Sequence, residues 1–153
     1  MKESLRLATY QPDIPQNLGA MIRLCACLGV PIDIIEPCGF PFSKKALRRT
    51  AMDYLDIAEI KQHDSFESFY SYKKKKRIIL LTTSGDIDLW DFTFMKSDIL
   101  MVGRESSGVP PAVSNTVDYK VKVAMPAGGR SLNVVTCAAI AVAEGMRQMK
   151  NKL

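Results

Sequence analysis

The sequence predicts an α/β fold, a parallel sheet flanked by helices. Strand-like and helix-like segments alternate along the chain, the pattern of βαβ units. Residues 78–83 and 99–102 are near-continuous apolar runs, which suit strands covered by helices on both faces. The longest helical pattern, residues 131–150, closes the chain after a glycine-rich loop. Loops that leave strand C-termini and open helices are where open α/β proteins bind ligands. Two such loops stand out, Gly103-Arg104-Glu105-Ser106-Ser107-Gly108 and Met125-Pro126-Ala127-Gly128-Gly129-Arg130-Ser131-Leu132-Asn133.

Residues 5–10 alternate apolar and polar, a short first strand. Gln11-Pro12-Asp13-Ile14-Pro15 is a loop, since two prolines disfavour a helix there. Asn17 is a good N-cap for a helix over 18–29 that carries Leu18, Met21, Ile22, Cys25 and Leu28 on one face. Gly29 is a natural stop. Residues 31–36 form a second strand, 43–50 a short basic helix and 55–60 a third strand. Asp64-Ser65-Phe66-Glu67 reads as a capping box that starts a helix running to about residue 74. Residues 84–97 look irregular, 110–115 can make one or two helical turns, and 119–123 is a last strand. Ser131 is a candidate N-cap for the closing helix. Its Leu132, Val135, Ala139, Val142, Met146 and Met149 recur at heptad-like spacing, either a core-facing stripe or a contact between subunits.

At 153 residues the chain is expected to be one domain, residues 1–153. Apolar content of 47% and charged content of 24% are ordinary for a globular protein. Glu3 and Asp13 interrupt the basic-then-apolar pattern of a signal peptide, and the most apolar helical stretch is too short to span a bilayer. A soluble, cytoplasmic protein without membrane contact is expected. Cys25 and Cys27 are separated by one residue, not a zinc-finger spacing, so reduced and buried thiols are expected. His63 is the only histidine, which leaves little for a metal site and only a distant case for a hydrolase. There is no G-x-G-x-x-G after the first strand and no G-x-x-x-x-G-K-[ST], so the usual nucleotide-binding loops are excluded.

The formal charge is +5, with Lys44, Lys45, Arg48 and Arg49 on one side of a short helix and an unbroken basic run at 73–77. Both point to a polyanionic partner, with a solvated surface as the plainer alternative. Arg23 has Gly19, Ala20, Ala26 and Cys27 as its helical neighbours and no carboxylate among them, which leaves room for a ligand beside its guanidinium. Glu105 follows a buried strand, where a ligand or a cluster of N–H groups can partner it. Asn133 falls in the first turn of the closing helix, near the strand ends.

The segments Asn17-x-Gly19-x-x-x-Arg23, Gly103-x-Glu105-x-x-Gly108 and Ser131-Leu132-Asn133 together resemble the three motifs of the SpoU branch of the SPOUT RNA methyltransferases. Ile35-Glu36-Pro37, the segment from Arg48 through Thr50 to Tyr54, and Leu81-Thr82-Thr83 extend the likeness to nearly the whole chain. The minimal tRNA (cytidine/uridine-34)-2′-O-methyltransferases are the most similar group. Ala124 departs from it, where proline is usual after the strand.

The resemblance implies a C-terminal trefoil knot, a homodimer, and S-adenosylmethionine bound by Leu81, Gly103, Val123 and Ser131. It implies transfer to a ribose 2′-hydroxyl at wobble position 34 of a tRNA, a leucine tRNA in this reading, with Arg23, Glu105 and Asn133 as the catalytic set. Asn17, Lys44, Lys45, Arg48, Arg49, Lys73 and Lys74 are then the expected RNA contacts. An RNA-binding protein of the same fold without transfer activity and a tRNA base methyltransferase are the alternatives.

Overall fold

The computed structural model describes residues 4–150; Glu3 lies outside them. Seven parallel strands form one sheet in the order β3-β2-β1-β6-β4-β7-β5. The strands are β1 (Arg6–Tyr10), β2 (Ile32–Ile35), β3 (Ile60–His63), β4 (Ile78–Leu81), β5 (Ile87–Asp88), β6 (Ile99–Val102) and β7 (Tyr119–Lys122). The helices are α1 (Pro15–Leu28), α2 (Lys44–Ala51), α3 (Tyr54–Ile57), α4 (Phe66–Lys73), α5 (Pro111–Ser114) and α6 (Val134–Lys150). The central strands β1, β2 and β6 are buried along their whole length.

Side chains alternate across a strand, so the two faces of the sheet fill two separate cores. Leu7, Ile32, Ile34, Ile79, Leu100 and Val121 point to the side where Leu18, Met21 and Ile22 of α1 and Ala138, Ala141 and Val142 of α6 pack. Ala8, Tyr10, Ile35, Ile78, Leu80 and Met101 point to the side holding Phe69 of α4 and Val113 of α5. The alternation expected in the first strand is therefore not an exposed face. Arg6 and Thr9 are buried too, and Arg6 is neutralised by Asp33 of β2, with Nε to Oδ2 at 2.7 Å.

Several boundaries differ from expectation, each for a local reason. Pro15 does not exclude a helix. It occupies the first turn of α1, where its missing N–H is not needed, and Ile14 rather than Asn17 is the N-cap. Gly29 does end α1, in the left-handed region at φ 67°. The strand expected over 55–60 is displaced: 54–57 is a helical turn, and the strand begins at Ile60. In α4 the cap is Ser65, whose side chain accepts from the Ser68 N–H, so Glu67 does not close a capping box with Asp64. The 84–97 segment carries β5 and a 3-10 turn, Leu89–Asp91. A Cβ on Gly85 would meet the Val121 backbone at 2.7 Å, so only glycine lets this segment lie against β7. The closing helix starts at Val134, not Ser131.

Candidate active site

The C-terminal ends of β4, β6 and β7, with the start of α1 and the start of α6, enclose a cavity of about 670 Å³. That volume lies within the range of small-molecule sites. Leu81 and Thr82 line it from β4, Gly103 and Glu105 from the loop after β6, and Val123 and Met125 from beyond β7. Asn17 comes from the first turn of α1, and Ser131, Leu132 and Asn133 from the approach to α6. The structure thus brings Asn17, Leu81, Gly103, Glu105, Val123, Ser131 and Asn133 around one space.

The loop after β6 is a tight reversal. The Arg104 N–H donates to the Gly108 carbonyl at 3.1 Å, and the Gly108 N–H returns to the Arg104 carbonyl at 2.9 Å. A Cβ on Gly103 would meet the Gly108 backbone at 2.8 Å, and Gly108 sits at φ 65°, so both glycines are needed to close the turn. The Arg104 guanidinium is committed to Gln11 Oε1 and lies 5.2 Å above the Tyr10 ring. The other glycine loop turns at Gly128, φ 85°, whose N–H donates to the Met125 carbonyl at 3.0 Å.

Asn133 takes the capping role expected of Ser131. Its Oδ1 accepts from the Val135 N–H at 2.8 Å and the Thr136 N–H at 3.4 Å, while its Nδ2 donates to Asn17 Oδ1 at 3.4 Å. Its side chain therefore ties the start of α6 to the first turn of α1. The shift of the cap by two residues leaves Ser131 in the loop, on the cavity wall.

Glu105 does find an N–H partner. Its Oε2 accepts from the Asp13 N–H at 3.1 Å, and its own N–H donates back to Asp13 Oδ1 at 3.2 Å. The Ser106 hydroxyl donates to Asp13 Oδ2. Burial and the adjacent Asp13 carboxyl push the Glu105 carboxyl above its ordinary value. Hydrogen bonds to Glu105 and Ser106 hold Asp13 below its own. The two carboxyls are coupled, and their opposite directions make Glu105 the one that takes up a proton first as pH falls. Asp13 was not among the expected site residues. Its only signal is an acidic side chain between two prolines at a strand end.

Arg23 does not line the cavity. It sits on the exposed side of α1, its guanidinium 4.8 Å over the Tyr54 ring of α3. Gly19, one turn earlier, allows this packing: a Cβ there would meet the Thr50 side chain at 2.5 Å. Lys44, Lys45, Arg48 and Arg49 are exposed on α2, next to this surface, and Arg48 also grips Asp56 through two bonds of 3.0 and 3.1 Å.

Lys73 stands apart from the rest of the 73–77 run. It is buried, and its ammonium donates to the Lys76 carbonyl at 2.9 Å and lies 4.7 Å from the Tyr70 ring. A lysine donating to carbonyls past a helix end acts as a structural cap, which leaves Lys74 the more accessible of the two expected contacts. Lys74 and Lys75 are exposed, but they precede β4, whose opposite end reaches the cavity.

His63 is equally structural. Its Nε2 lies 2.8 Å from Asp33 Oδ1, and its ring packs edge-on to Phe69. The buried Arg6–Asp33–His63 set leaves no role for a hydrolytic histidine. Of the four free cysteines only Cys25 is fully buried; Cys27 is exposed, and Cys38 and Cys137 are half-buried. Among the described residues no group of three His, Cys, Asp or Glu side chains is placed to hold a metal, and no helix is long and apolar enough to cross a membrane.

Comparison with known proteins agrees with this geometry. Residues 4–143 match the model of the SpoU rRNA Methylase family. A tRNA (cytidine(34)-2′-O)-methyltransferase of Beijerinckia indica subsp. indica is 49% identical over 94% of this chain and 91% of its own length. The enzyme of that name from Escherichia coli K12 is 33% identical over 95% of this chain and 94% of its own. A solved structure described as giving insights into the 2-OH methylation of C/U34 on tRNA superposes with a TM-score of 0.91 at 35% identity, covering 97% of this chain and 98% of that one. The SpoU methyltransferase AviRb of Streptomyces viridochromogenes, at 22% identity and a TM-score of 0.88 over 99% of this chain and 62% of its own, shares the fold. With its glycine turns, strand ends and closing helix placed as described, this chain belongs to the SpoU rRNA Methylase family.

Proposed function

We propose that this protein transfers a methyl group from S-adenosylmethionine to the ribose 2′-hydroxyl at wobble position 34, cytidine or modified uridine, of a leucine tRNA. It acts as one cytoplasmic domain and as a homodimer. The observation that carries this reading is the single cavity shared by Leu81, Gly103, Val123 and Ser131 with Glu105 and Asn133. The curated relatives named for cytidine-34 methylation match along nearly their full length.

The cavity fits the methyl donor on its own chemistry. Its walls mix apolar side chains with glycine backbone, and Gly103 and Gly108 admit close approach of main-chain groups to a ligand. Leu81, Gly103, Val123 and Ser131 are the residues assigned to hold it. When bound, it supplies an electrophilic methyl on a sulfonium.

The 2′-hydroxyl is a weak nucleophile, and the protein's task is to hold it in line and stabilise the charge that forms on its oxygen. Arg23 is assigned that second role. A guanidinium stays protonated, which argues against a literal base, but its planar fork suits a phosphate and a nascent alkoxide. Arg23 and the cavity of one subunit do not meet, so the assignment needs α1 of one protomer to face the cavity of its partner. Glu105 and Asn133 position the loops around the ribose, and Asn17 steadies Asn133.

The basic face of α2, Asn17 on the cavity wall, and Lys73 with the more exposed Lys74 are the proposed RNA contacts. The proposed fold includes a C-terminal trefoil knot. In its support, the chain runs out to β5 at the sheet edge, returns to β6 between β1 and β4, leaves for β7, and comes back through α6. Mapping 2′-O-methyl groups in tRNA from cells with and without this protein tests the function. Loss of the methyl group at position 34 is expected; an unchanged position 34 overturns it.

A further inference from the structure

We propose that Asp13 is a positioning residue for Glu105, clasping the loop before α1 to the loop after β6 so that both halves of the site move as one. The inference rests on the reading of the cavity as the methyl-donor site.

The clasp is reciprocal. Each residue's N–H donates to the other's carboxylate across 92 positions of sequence, at 3.1 and 3.2 Å, and Ser106 adds its hydroxyl to Asp13. These are hydrogen bonds to charged or partly charged groups, stronger than neutral ones. Asp13 is also backed from a third element. Gly39 donates its N–H to the Pro12 carbonyl at 2.9 Å, and a Cβ on Gly39 would meet Asp13 Cβ at 2.6 Å. Asp13 therefore has little freedom to move.

What it holds faces the site. Glu105 lines the cavity, and its second carboxylate oxygen, Oε1, is buried with no hydrogen-bond partner among the described residues. An unpartnered buried oxygen is costly, and a protonated carboxyl suits such a place better than a charged one. Asp13 raises that carboxyl's hold on a proton, because a neighbouring carboxylate opposes its ionisation. The other titratable groups facing the pair do not replace this effect. Arg104 is committed to Gln11 and Tyr10. Burial, and then the nearby Glu36 charge, push the Cys38 thiol up to about 12, so it stays neutral.

The sign of the pH effect follows. Glu105 is raised, so what its protonated form adds to the clasp is present at low pH and is lost as pH rises through its value, when two carboxylates confront each other and only the two N–H bonds remain. Replacing Asp13 by asparagine keeps an acceptor for the Glu105 N–H and offers Glu105 a donor, but removes the neighbouring charge.

The test is equilibrium dialysis of labelled S-adenosylmethionine against the full-length protein across pH, beside turnover on tRNA. Asp13→Ala is expected to weaken donor binding at least tenfold. Asp13→Asn is expected to bind within threefold of wild type, with the pH midpoint of binding shifted lower. Wild-type binding and turnover in Asp13→Ala, or an unmoved midpoint in Asp13→Asn, overturns the inference while leaving the functional reading standing. If Asp13→Ala fails to fold, the midpoint of the asparagine variant decides alone. Failure of the wild-type protein to bind the donor overturns both.

Discussion

Arg23 shows how much of a residue's role depends on what lies next to it. Its small helical neighbours leave its guanidinium uncrowded, and the structure fills part of that room with the Tyr54 ring at 4.8 Å. An exposed cation–π contact of this kind is worth about 0.5–1 kcal/mol, enough to bias the side chain but not to bury it. The guanidinium thus stays presented on the surface, where a second molecule can use it. Arg23→Ala is expected to lower the melting temperature by no more than about 4 °C and keep donor affinity, while turnover on tRNA falls by about 100-fold or more, the scale of losing a group that stabilises transition-state charge. Arg23→Lys is expected to recover only part of that loss, because an ammonium lacks the planar fork. Near wild-type turnover in the alanine variant would remove Arg23 from the mechanism.

At the scale of elements, the packing of α1 on α2 sets where Arg23 and the basic surface stand. Gly19 is the contact point, and a methyl group there would overlap the Thr50 side chain at 2.5 Å and its backbone at 2.8 Å. Gly19→Ala is expected to destabilise by about 1–3 kcal/mol, as overpacking does, despite the better helix propensity of alanine. Gly145→Ala on α6 crowds the end of the Leu5 side chain, at 2.8 Å, and otherwise meets Phe94 at an ordinary 3.7 Å. A flexible methyl can move aside, and helix propensity favours alanine by about 1 kcal/mol, so this variant is expected to melt close to wild type. Thermal unfolding of the two proteins side by side checks the contrast.

The same contrast explains what could be read in advance. β4 and β6 were legible because burial on both faces demands apolar runs, and Gly29 because a left-handed helix end favours glycine. β3 was not: it is an edge strand with Lys61 and Gln62 exposed, so its pattern is weak. The start of α6 is ambiguous in the sequence because Ser131 and Asn133 are both good caps; in the structure the Asn133 Oδ1 takes the first free N–H groups. The glycine loops announced the cavity. Asp13 did not, because its partner lies in another loop, far along the chain, and no local pattern records such a pairing.

For the whole molecule, the decisive fact is that Arg23 does not line the cavity of its own chain. The row on α6 that suggested a subunit contact is half-buried at Val135, Ala139, Met146 and Met149, while the core takes Ala138, Ala141, Val142 and Gly145. That leaves an apolar margin beside the core-facing stripe, available to a second copy, with Leu132 exposed at its start. If two copies associate and Arg23 of each serves the other's cavity, complementation between two inactive variants becomes a direct test. Arg23→Ala keeps an intact cavity. Gly103→Ala keeps Arg23 but forces a methyl group against the Gly108 backbone at 2.8 Å, which disrupts the turn proposed to hold the donor. Each variant alone is expected to be inactive. Co-refolded in equal amounts, half of the symmetric pairs are mixed, and each mixed pair carries one complete site, so about a quarter of wild-type activity is expected. A cis arrangement predicts none at any ratio, because every subunit would then lack either its arginine or its donor loop.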